Sequence, residues 1–347
     1  MSGSPSLVLR ELSAGDVARW NRFVEDCPEA TFFHRAEWRE VIQEAFGHPT
    51  WYWLVEDGAG RIRGVLPLVR VRSWLCGAAL ASSPCGVCGG VAADGGAARA
   101  LLEGHACDLA RRLGVGALEM RNLDRRHADW PSKDLYVTFR KPIVADHEAN
   151  LKAVPRKQRA MIRKGVEAGL ESVLTQDPDR LFRTYAASVR NLGTPVFPRR
   201  YLRLLQEVFG RACDSLVVTR QGRDVAAVMS FYFRDEVLPY YGGSLPLARE
   251  VKGNAFMYWE LMRCSVDRGF RLFDFGRSKV GSGSYHFKKN WGFEPRPLHY
   301  EYFLVKDRAV PEVNPTNPRY RLFIEAWKRL PLPLANLVGA RLSPYLG

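Results

Sequence analysis

The two halves of this chain present the same order of structural patterns, and this order constrains the fold most strongly. In each half, helical patterns precede a strand hairpin, and a long helix and one more strand follow it. A length of 347 residues suits two domains of ordinary size. Strands interspersed with helices predict sheets that are covered by helices. We therefore predict an α/β (α+β) protein with two similarly built domains, although the halves share no repeat at the level of residues.

Polar composition indicates where the domains end. The segment 141–155 is polar and poorly periodic, as connections between domains often are. We predict a first domain over 1–145, a second over 150–305 and a tail over 306–347. In the tail, apolar residues recur at helical spacing over 320–330 and 334–342. Such a helix packs on a domain or lies on a membrane, and we expect 320–330 to pack on the first domain.

The cysteines and the longest uncharged stretch indicate the compartment. Seven cysteines, an odd number, argue against a disulfide framework and for a reducing environment. The sequence does not open with a basic segment followed by an apolar core, so we expect a cytoplasmic protein. The uncharged stretch 73–93 contains a proline and several glycines, which favours a strand with a Gly-rich loop over a membrane-spanning helix.

A run of cations over 152–164 is the first feature that indicates a binding surface. The net charge of +14 favours an anionic partner, such as nucleic acid, a phosphorylated sugar or a membrane surface. The run holds six cations and no carboxylate, and Arg156, Arg159 and Arg163 share one face of the predicted helix. A solvated helix face usually explains such a run. Six cations without carboxylates repel one another, however, so a phosphate-bearing ligand explains this helix equally well.

Several catalytic signatures are absent from the sequence. It contains no G-x-x-x-x-G-K-[ST], H-E-x-x-H or G-x-S-x-G pattern. The pair Cys85 and Cys88 lacks a second pair and suitably spaced histidines, and the seven histidines do not cluster. The sequence therefore predicts neither a metal site nor a covalent nucleophile.

The segment 253–302 carries the most informative motifs. The run Phe273-Asp274-Phe275-Gly276-Arg277-Ser278 is typical of a strand that ends in a turn, and a Gly/Ser loop over 281–284 follows it. The loop leads to Tyr285-x-Phe287-Lys288-x-x-Trp291-Gly292. Loops at strand ends of α/β sheets often bind ligands. We expect the aromatic residues here in the core, whereas core packing does not explain the polar loop.

Together with the run from Arg156 to Lys164, these motifs resemble the Fem-like aminoacyltransferases and their acyltransferase relatives. The resemblance covers most of the chain and is greatest to the branch associated with exopolysaccharide gene clusters in bacteria with PEP-CTERM sorting systems. It implies two tandem GNAT-like N-acyltransferase domains, each a mixed sheet flanked by helices, with a groove between them. Better-known relatives transfer an amino acid from aminoacyl-tRNA to an amine of a peptidoglycan precursor.

The resemblance also implies roles for individual residues. Lys288 takes the position of the catalytic lysine. Four further residues are placed near the phosphates of the donor or the acceptor: Arg156, Lys157, Arg163 and Tyr241.

Acyl transfer to an amine makes two demands that this chain can meet. The attacking amine must be neutral, and the tetrahedral oxyanion must be stabilised, which suits the ammonium of Lys288. Asp274 is a candidate base or amine-orienting group, although a carboxylate at a strand end more often has a structural role. Tyr285 and Arg277 are candidates for positioning the substrate, and Asn254 is expected among the substrate-binding residues.

A departure from the wider superfamily limits the donor. Acyl-CoA-dependent relatives carry Q/R-x-x-G-x-G/A before a helix, where backbone amides hold the pyrophosphate. The corresponding segment 242–254 lacks this motif. We expect no bound cofactor, and the acyl donor, aminoacyl-tRNA or acyl-CoA, is then a co-substrate. The missing motif disfavours acyl-CoA.

The sequence therefore predicts an N-acyltransferase that acts on a cell-envelope glycan, exopolysaccharide or peptidoglycan precursor, with a phosphorylated or lipid-linked acceptor. Two alternatives stay open at this point. One is an acyl-CoA-dependent amino-sugar N-acetyltransferase, and the other is a non-catalytic RNA- or membrane-binding assembly factor in polysaccharide export. Peripheral contact of the tail with the inner membrane is the alternative to its packing on the first domain.

Overall fold

The computed structural model describes residues 6–73, 77–310 and 318–343, which form two compact units. Unit 1 comprises the described residues 6–136 and 297–310, and unit 2 comprises 137–296 and 318–343. Each unit has one mixed sheet with helices against it, which confirms the predicted fold class.

The strands and helices of both units are numbered here in chain order. The strands are β1 (Val8–Glu11), β2 (Thr50–Glu56), β3 (Ile62–Ser73), β4 (Gly77–Ser82), β5 (Ala92–Ala93), β6 (Ala117–Asn122), β7 (Ser132–Lys133), β8 (Tyr136–Pro142), β9 (Leu170–Thr175), β10 (Cys213–Arg220), β11 (Arg223–Phe233), β12 (Glu236–Ser244), β13 (Leu272–Asp274), β14 (Ser278–Lys279), β15 (Pro295–Pro297) and β16 (His299–Leu304). The helices are α1 (Val17–Asp26), α2 (Trp38–Phe46), α3 (Gly96–Leu113), α4 (His147–Ala153), α5 (Arg156–Glu167), α6 (Pro178–Leu192), α7 (Arg199–Phe209), α8 (Pro246–Glu250), α9 (Gly253–Asp267), α10 (Gly283–Asn290), α11 (Pro318–Lys328) and α12 (Leu332–Leu342).

The sheet of unit 1 has the strand order β1-β2-β3-β4-β6-β16-β7, with β5 paired to β3. Strands β4 and β6 are parallel, and the intervening chain crosses over through α3. Helix α3 packs on β2 and β3, and its Leu102 and Leu109 enter a core that includes Leu66 and Leu118. A parallel pair of strands needs such a helical crossover, because a short turn cannot return the chain to the same end of the sheet.

The sheet of unit 2 has the strand order β14-β8-β13-β12-β11-β10-β9, with β15 paired to β8. Strands β12 and β13 are parallel and are connected through α8 and α9. Helices α5 and α9 pack on each other, and α6 packs on β11 and β12. The core contains Ile162 of α5, Phe256 of α9 and Val228 of β11. This packing places α5, α6 and α9 around the end of β12, where the candidate site lies.

The division into units falls at other positions than the sequence predicted. Residues 137–142 belong to β8, which pairs with β13 of unit 2, so the boundary precedes the polar segment 141–155. Strand β16 lies in the predicted second domain but pairs with β6 of unit 1. The physical reason is hydrogen bonding between strands that are distant in sequence, because local composition carries no information on such pairing.

Helices α11 and α12 of the tail pack on unit 2, so the prediction that 320–330 packs on the first domain is wrong, whereas residues 306–310 of the tail belong to unit 1. Helices α11 and α12 both contact α6. Ile324 of α11 packs on Gly193 at the end of α6, and Arg190 donates a hydrogen bond of 3.0 Å to the carbonyl oxygen of Lys328. Residues 311–317 and 344–347 of the predicted tail and the side chain of Tyr320 lie outside the described residues. No helix of the described chain is long and apolar enough to span a bilayer.

Gly243 of β12 provides a test of the packing around the site. A Cβ at this position would lie 2.7 Å from the backbone nitrogen of Tyr185 and would also collide with its Cα, so α6 would have to move away from the sheet. We expect Gly243→Ala to destabilise the protein by about 1–3 kcal/mol in urea unfolding. The control is Gly104→Ala in α3, where no atom lies within 4 Å of the added carbon. That variant should gain about 0.5–1 kcal/mol, and equal stability of the two variants would contradict the packing described here.

The imidazole of His127 makes part of the stability of unit 1 dependent on pH. Its Nε2 lies 3.4 Å from Glu103 and its Nδ1 lies 3.6 Å from Glu301, and these carboxylates raise the pKa of His127 to about 9. Because this pKa is raised on folding, the stabilisation is complete below about pH 6.5 and is lost as the pH rises through about 9. We expect His127→Gln to cost about 1–3 kcal/mol more in urea unfolding at pH 6 than at pH 10. An equal cost at both pH values would exclude this charge coupling.

Candidate functional site

A cleft of about 820 Å³ opens in unit 2 at the end of β12. Its wall is formed by parts of α5, α6, α8 and α9 and by Phe287 of α10. The side chains are a mixture of polar, charged and apolar groups: Gln158, Met161, Ser188, Asn191, Leu192, Ser244, Leu245, Pro246, Ala248, Arg249, Glu250, Lys252, Asn254, Ala255 and Phe287. A cleft of this size and composition can hold a small-molecule ligand or one end of a larger one.

Three backbone amides in the region between β12 and the first turn of α9 donate hydrogen bonds within the chain. Pro246 begins the short helix α8, and Lys252 takes a left-handed conformation (φ of 59°) before α9 starts. The amides of Ala248 and Val251 donate to carbonyl oxygens within the segment, at 3.0 and 3.1 Å, and the amide of Ala255 donates to Lys252 at 3.1 Å. These donors are therefore committed to the chain itself.

Helix α5 presents its cations on two sides. Its buried face, which includes Ile162 and Gly165, lies against α9, and a Cβ at Gly165 would be only 2.9 Å from Cβ of Phe256. Met161, which lines the cleft, is four residues after Lys157 and three before Lys164, so helical spacing places these two lysines beside it. Among the described residues, neither lysine forms an ion pair.

The two arginines that the resemblance placed near phosphates lie on the other side of α5. Arg156 and Arg163 are seven residues apart and exposed, and neither is opposed by a carboxylate among the described residues. Their positions on the helix differ by a large angle from that of Met161. The structure thus separates the predicted anion-binding residues into Lys157 beside the cleft and Arg156 with Arg163 away from it.

Lys288 lies buried on α10, with 8% of its surface exposed. The helix begins after Ser282, whose hydroxyl accepts a hydrogen bond from the amide of Tyr285 at 3.3 Å. The ammonium of Lys288 donates to the carbonyl oxygens of Gly276 at 2.9 Å and of Arg277 at 3.1 Å. Burial lowers the pKa of Lys288 to about 7, although the negative charge of Asp274 opposes this shift. An ammonium has three N–H donors, so one of them is left for a further acceptor.

Asp274 lies at the end of β13 and its oxygens already have partners. Oδ1 accepts from the hydroxyl of Thr138 at 3.2 Å and from the amide of Gly276 at 2.7 Å, and Oδ2 lies 3.3 Å from Nε of Arg140. Burial raises the pKa of Asp274, while the charge of Arg140 opposes the rise. These contacts favour a role in holding the Gly276 turn, and the predicted role as a base stays a prediction.

Glu236 is a buried carboxyl that the sequence analysis did not single out. It lies at the start of β12 and pairs with Arg140, the same guanidinium that reaches Asp274. Burial raises the pKa of Glu236 to about 7, against the charge of Arg140. One arginine therefore bridges two buried carboxyls, and one of them, Asp274, lies close enough to Lys288 to affect the pKa of that lysine. No local pattern predicts this group, because its members come from three separate strands.

Aromatic side chains connect the cleft to Lys288. Phe287 lines the cleft, and its ring centroid lies 6.2 Å from that of Phe275, the residue between Asp274 and Gly276. Tyr258 contacts both rings, with centroids 5.5 Å from Phe287 and 5.0 Å from Phe275. Lys288 and Asp274 are not part of the cleft wall. They lie behind this aromatic layer, next to the turn that Phe275 begins.

The other predicted site residues divide between these two places. Asn254 is exposed at the start of α9 and lines the cleft. Tyr285 is half-buried and packs on Phe139 with centroids 5.6 Å apart, and the ammonium of Lys288 also lies 5.6 Å from that ring. Arg277 is half-buried, and its charge contributes to the low pKa of Lys288.

Tyr241 is a further predicted site residue that does not line the cleft. Its side chain is buried, and its hydroxyl lies 2.8 Å from that of Tyr201 in an aromatic cluster. The cleft instead uses Ser188 and Asn191 of α6, which the sequence analysis missed. Their spacing of three residues puts them on one face of α6, and this polar pair on an otherwise buried helix is the signal that was available.

Comparison with known proteins identifies the type of domain. Residues 154–289 match the family described as an acetyltransferase (GNAT) domain. The matched segment contains the whole cleft and extends through Lys288. Unit 2 therefore contains an acyltransferase domain of the GNAT type. No curated protein matches the sequence significantly.

Solved structures share the fold over most of the chain. The crystal structure of FemX is 13% identical, covers 91% of this chain and all of its own, and gives a TM-score of 0.67. A tandem GNAT protein from the clavulanic acid biosynthesis pathway is 16% identical, covers 86% of this chain and 98% of its own, and gives a TM-score of 0.55. The C-terminal domain of a putative lysylphosphatidylglycerol synthetase from Agrobacterium fabrum is 13% identical, with coverages of 83% and 92% and a TM-score of 0.54. These matches confirm the predicted tandem GNAT fold.

Proposed function

We propose that the protein is an N-acyltransferase that moves an acyl or aminoacyl group from an anionic donor to an amine, and that unit 2 carries out the reaction. The observation that carries this proposal is the match of 154–289 to the GNAT domain, because that segment contains the cleft, Lys157 and Lys164 beside it and Lys288. Within the described part of the chain these two lysines form no ion pair, and such cations beside a cleft suit a donor with phosphate groups.

The proposed reaction needs no covalent intermediate on the protein. The neutral amine attacks the donor carbonyl, a C–N bond forms, and the C–O bond of an ester or the C–S bond of a thioester breaks. The leaving oxygen or sulfur departs with the electrons of the broken bond and takes up the proton that the amine loses, so an alcohol or a thiol is released. We assign to Lys288 the stabilisation of the negative carbonyl oxygen through its remaining N–H. For this contact, the donor carbonyl must reach past Phe287 to the Gly276 turn.

The class of the donor is inferred from two features, which are the backbone amides of the α8 segment and the cations of α5. The amides of Ala248, Val251 and Ala255 already donate within the chain, so these three do not serve a pyrophosphate. Cations occupy both sides of α5, a helix of 12 residues that spans about 18 Å. This spread favours a polynucleotide donor such as aminoacyl-tRNA, and acyl-CoA is the second candidate because it needs only the lysines beside the cleft.

The acceptor is proposed from the resemblance of the motif over 273–292 to Fem-like enzymes. It is an amine on a cell-envelope glycan, exopolysaccharide or peptidoglycan precursor.

The proposal is tested by incubating the purified protein with labelled aminoacyl-tRNA or acetyl-CoA and with amino-sugar or lipid-linked amine acceptors. The expected result is a new amide that carries the label and resists mild alkali, which cleaves the donor ester. The donor that supports the faster reaction identifies the donor class. Donor hydrolysis alone, with no amide from any pair, would contradict the proposed function.

A further inference from the structure

We infer that α11, α12 and the end of α6 form a surface that docks on an anionic lipid bilayer. The strongest observation is a set of large apolar side chains that the described structure leaves in solvent. Leu322 of α11 is 79% exposed, Leu337 of α12 is 56% exposed and Leu192 of α6 is 68% exposed. Phe323 and Leu334 are exposed as well. A group of such residues within one part of a unit indicates an interaction surface.

Helix α12 is apolar on both of its sides. Ala335 and Gly339 form the inner side, and a Cβ at Gly339 would lie only 2.9 Å from the backbone nitrogen of Val196. Leu334, Leu337 and Arg341 recur at positions i, i+3 and i+7 and form the outer, exposed side. A surface helix normally has a polar outer face. This helix is anchored to unit 2 by its inner side, and its outer side has the composition of a helix that meets lipid.

The net positive charge of α11, α12 and their connection favours an anionic membrane surface as the partner. Residues 318–343 contain five cations and one carboxylate, Glu325. That carboxylate pairs with Lys328 at 2.8 Å. Arg329 and Arg341 are exposed near the apolar side chains. Cations beside exposed leucines match an interface in which apolar groups enter the bilayer and arginines meet lipid phosphates. A second copy of the same surface would instead bring like charges together.

The docking surface adjoins the cleft through α6. The end of this helix lines the cleft with Ser188, Asn191 and Leu192. The next residue, Gly193, packs against Ile324 of α11. Docking would therefore bring the mouth of the cleft close to the membrane surface. If the proposed function holds, the amine acceptor is attached to a lipid, and this last step rests on that function.

Co-sedimentation with vesicles tests the docking surface without any substrate. The full chain is mixed with vesicles of phosphatidylcholine and phosphatidylglycerol at 7:3, and with vesicles of phosphatidylcholine alone. We expect binding to the anionic vesicles, and at least a tenfold lower partition coefficient for the double variant Leu334→Glu, Leu337→Glu. The matched control is Val144→Glu, Val173→Glu, which changes the charge of unit 2 equally at two exposed apolar positions away from the tail. The partition coefficient of this control should decrease by less than threefold.

Two results would overturn the proposal. One is the absence of binding to anionic vesicles by the wild-type chain. The other is a wild-type dimer that the Leu334→Glu, Leu337→Glu variant converts to a monomer, with equal vesicle binding by both. Circular dichroism and thermal unfolding establish that the variants are folded. Transfer to a water-soluble amine in the absence of lipid is measured separately, so that a failure of docking and a failure of the proposed function give different results.

Discussion

Replacing Lys288 by methionine is expected to lower the rate of acyl transfer by about a hundredfold or more, because the reacting carbonyl oxygen loses its cationic partner. The change keeps the length of the side chain and removes only the charge and the donors. The two carbonyl oxygens of Gly276 and Arg277 also lose their donor, which should cost about 1–3 kcal/mol of stability. The rate is measured in single-turnover transfer assays, at a temperature at which unfolding shows that the variant is folded.

The neighbouring residue offers a matched control for this prediction. Lys289 lies on the same helix but is exposed, and its ammonium lies 5.8 Å from the centre of the ring of Tyr285. Lys289→Met should keep at least half of the wild-type rate. Because the pKa of Lys288 is about 7, the contribution of its ammonium should decrease as the pH rises above 7, so the ratio of the wild-type rate to the Lys288→Met rate should fall. A constant ratio from pH 6 to pH 9 would show that Lys288 has a structural role only.

Charge reversal beside the cleft is expected to weaken donor binding strongly. In the variant Lys157→Glu, Lys164→Glu, two cations next to Met161 become carboxylates that repel phosphate groups. We expect the dissociation constant of either donor to increase on the order of tenfold or more at low salt. The measurement is fluorescence anisotropy of a labelled donor, repeated over a range of salt concentrations.

The other side of α5 supplies a control with the same change in charge. Arg156→Glu, Arg163→Glu alters two exposed positions on the same helix, away from the cleft. For acyl-CoA, this variant should bind like the wild type. For a polynucleotide, both double variants should weaken binding and reduce its salt dependence. If neither variant changes the affinity for either donor, α5 is a solvated surface and has no part in donor binding.

Local patterns predicted the core elements of unit 2 closely. Periodicity and turn residues predict helices over 155–168 and 254–268, which correspond to α5 and α9. They also predict strands over 216–220, 226–233 and 237–241, which lie within β10, β11 and β12. Periodicity and turn residues are local signals, and these elements are long enough to show them. The resemblance placed Lys288, and its prediction as a reactive lysine stays a prediction.

Pairing between distant segments could not be predicted from the sequence. The assignment of β8 to unit 2 and of β16 to unit 1 depends on hydrogen bonds across long stretches of chain. The inward orientation of Lys288 depends on the carbonyl groups of the Gly276 turn, whereas lysines at the end of a helix are usually exposed. The cleft wall at Ser188 and Asn191 depends on the packing of α6 on β12. Each of these features depends on contacts between residues that are distant in sequence. The periodicity of apolar residues along the chain gives no information on such contacts.

In the proposed function, unit 2 holds the acyl donor in the cleft at the end of β12. Hydrogen–deuterium exchange of the full chain, with and without each donor at saturating concentration, tests it most directly. We predict slower exchange for backbone amides in 156–164 and 244–255 with the donor that binds, and unchanged exchange in α3 of unit 1. Slower exchange confined to unit 1, or no change in 244–255 under conditions in which a donor is bound, would contradict the account.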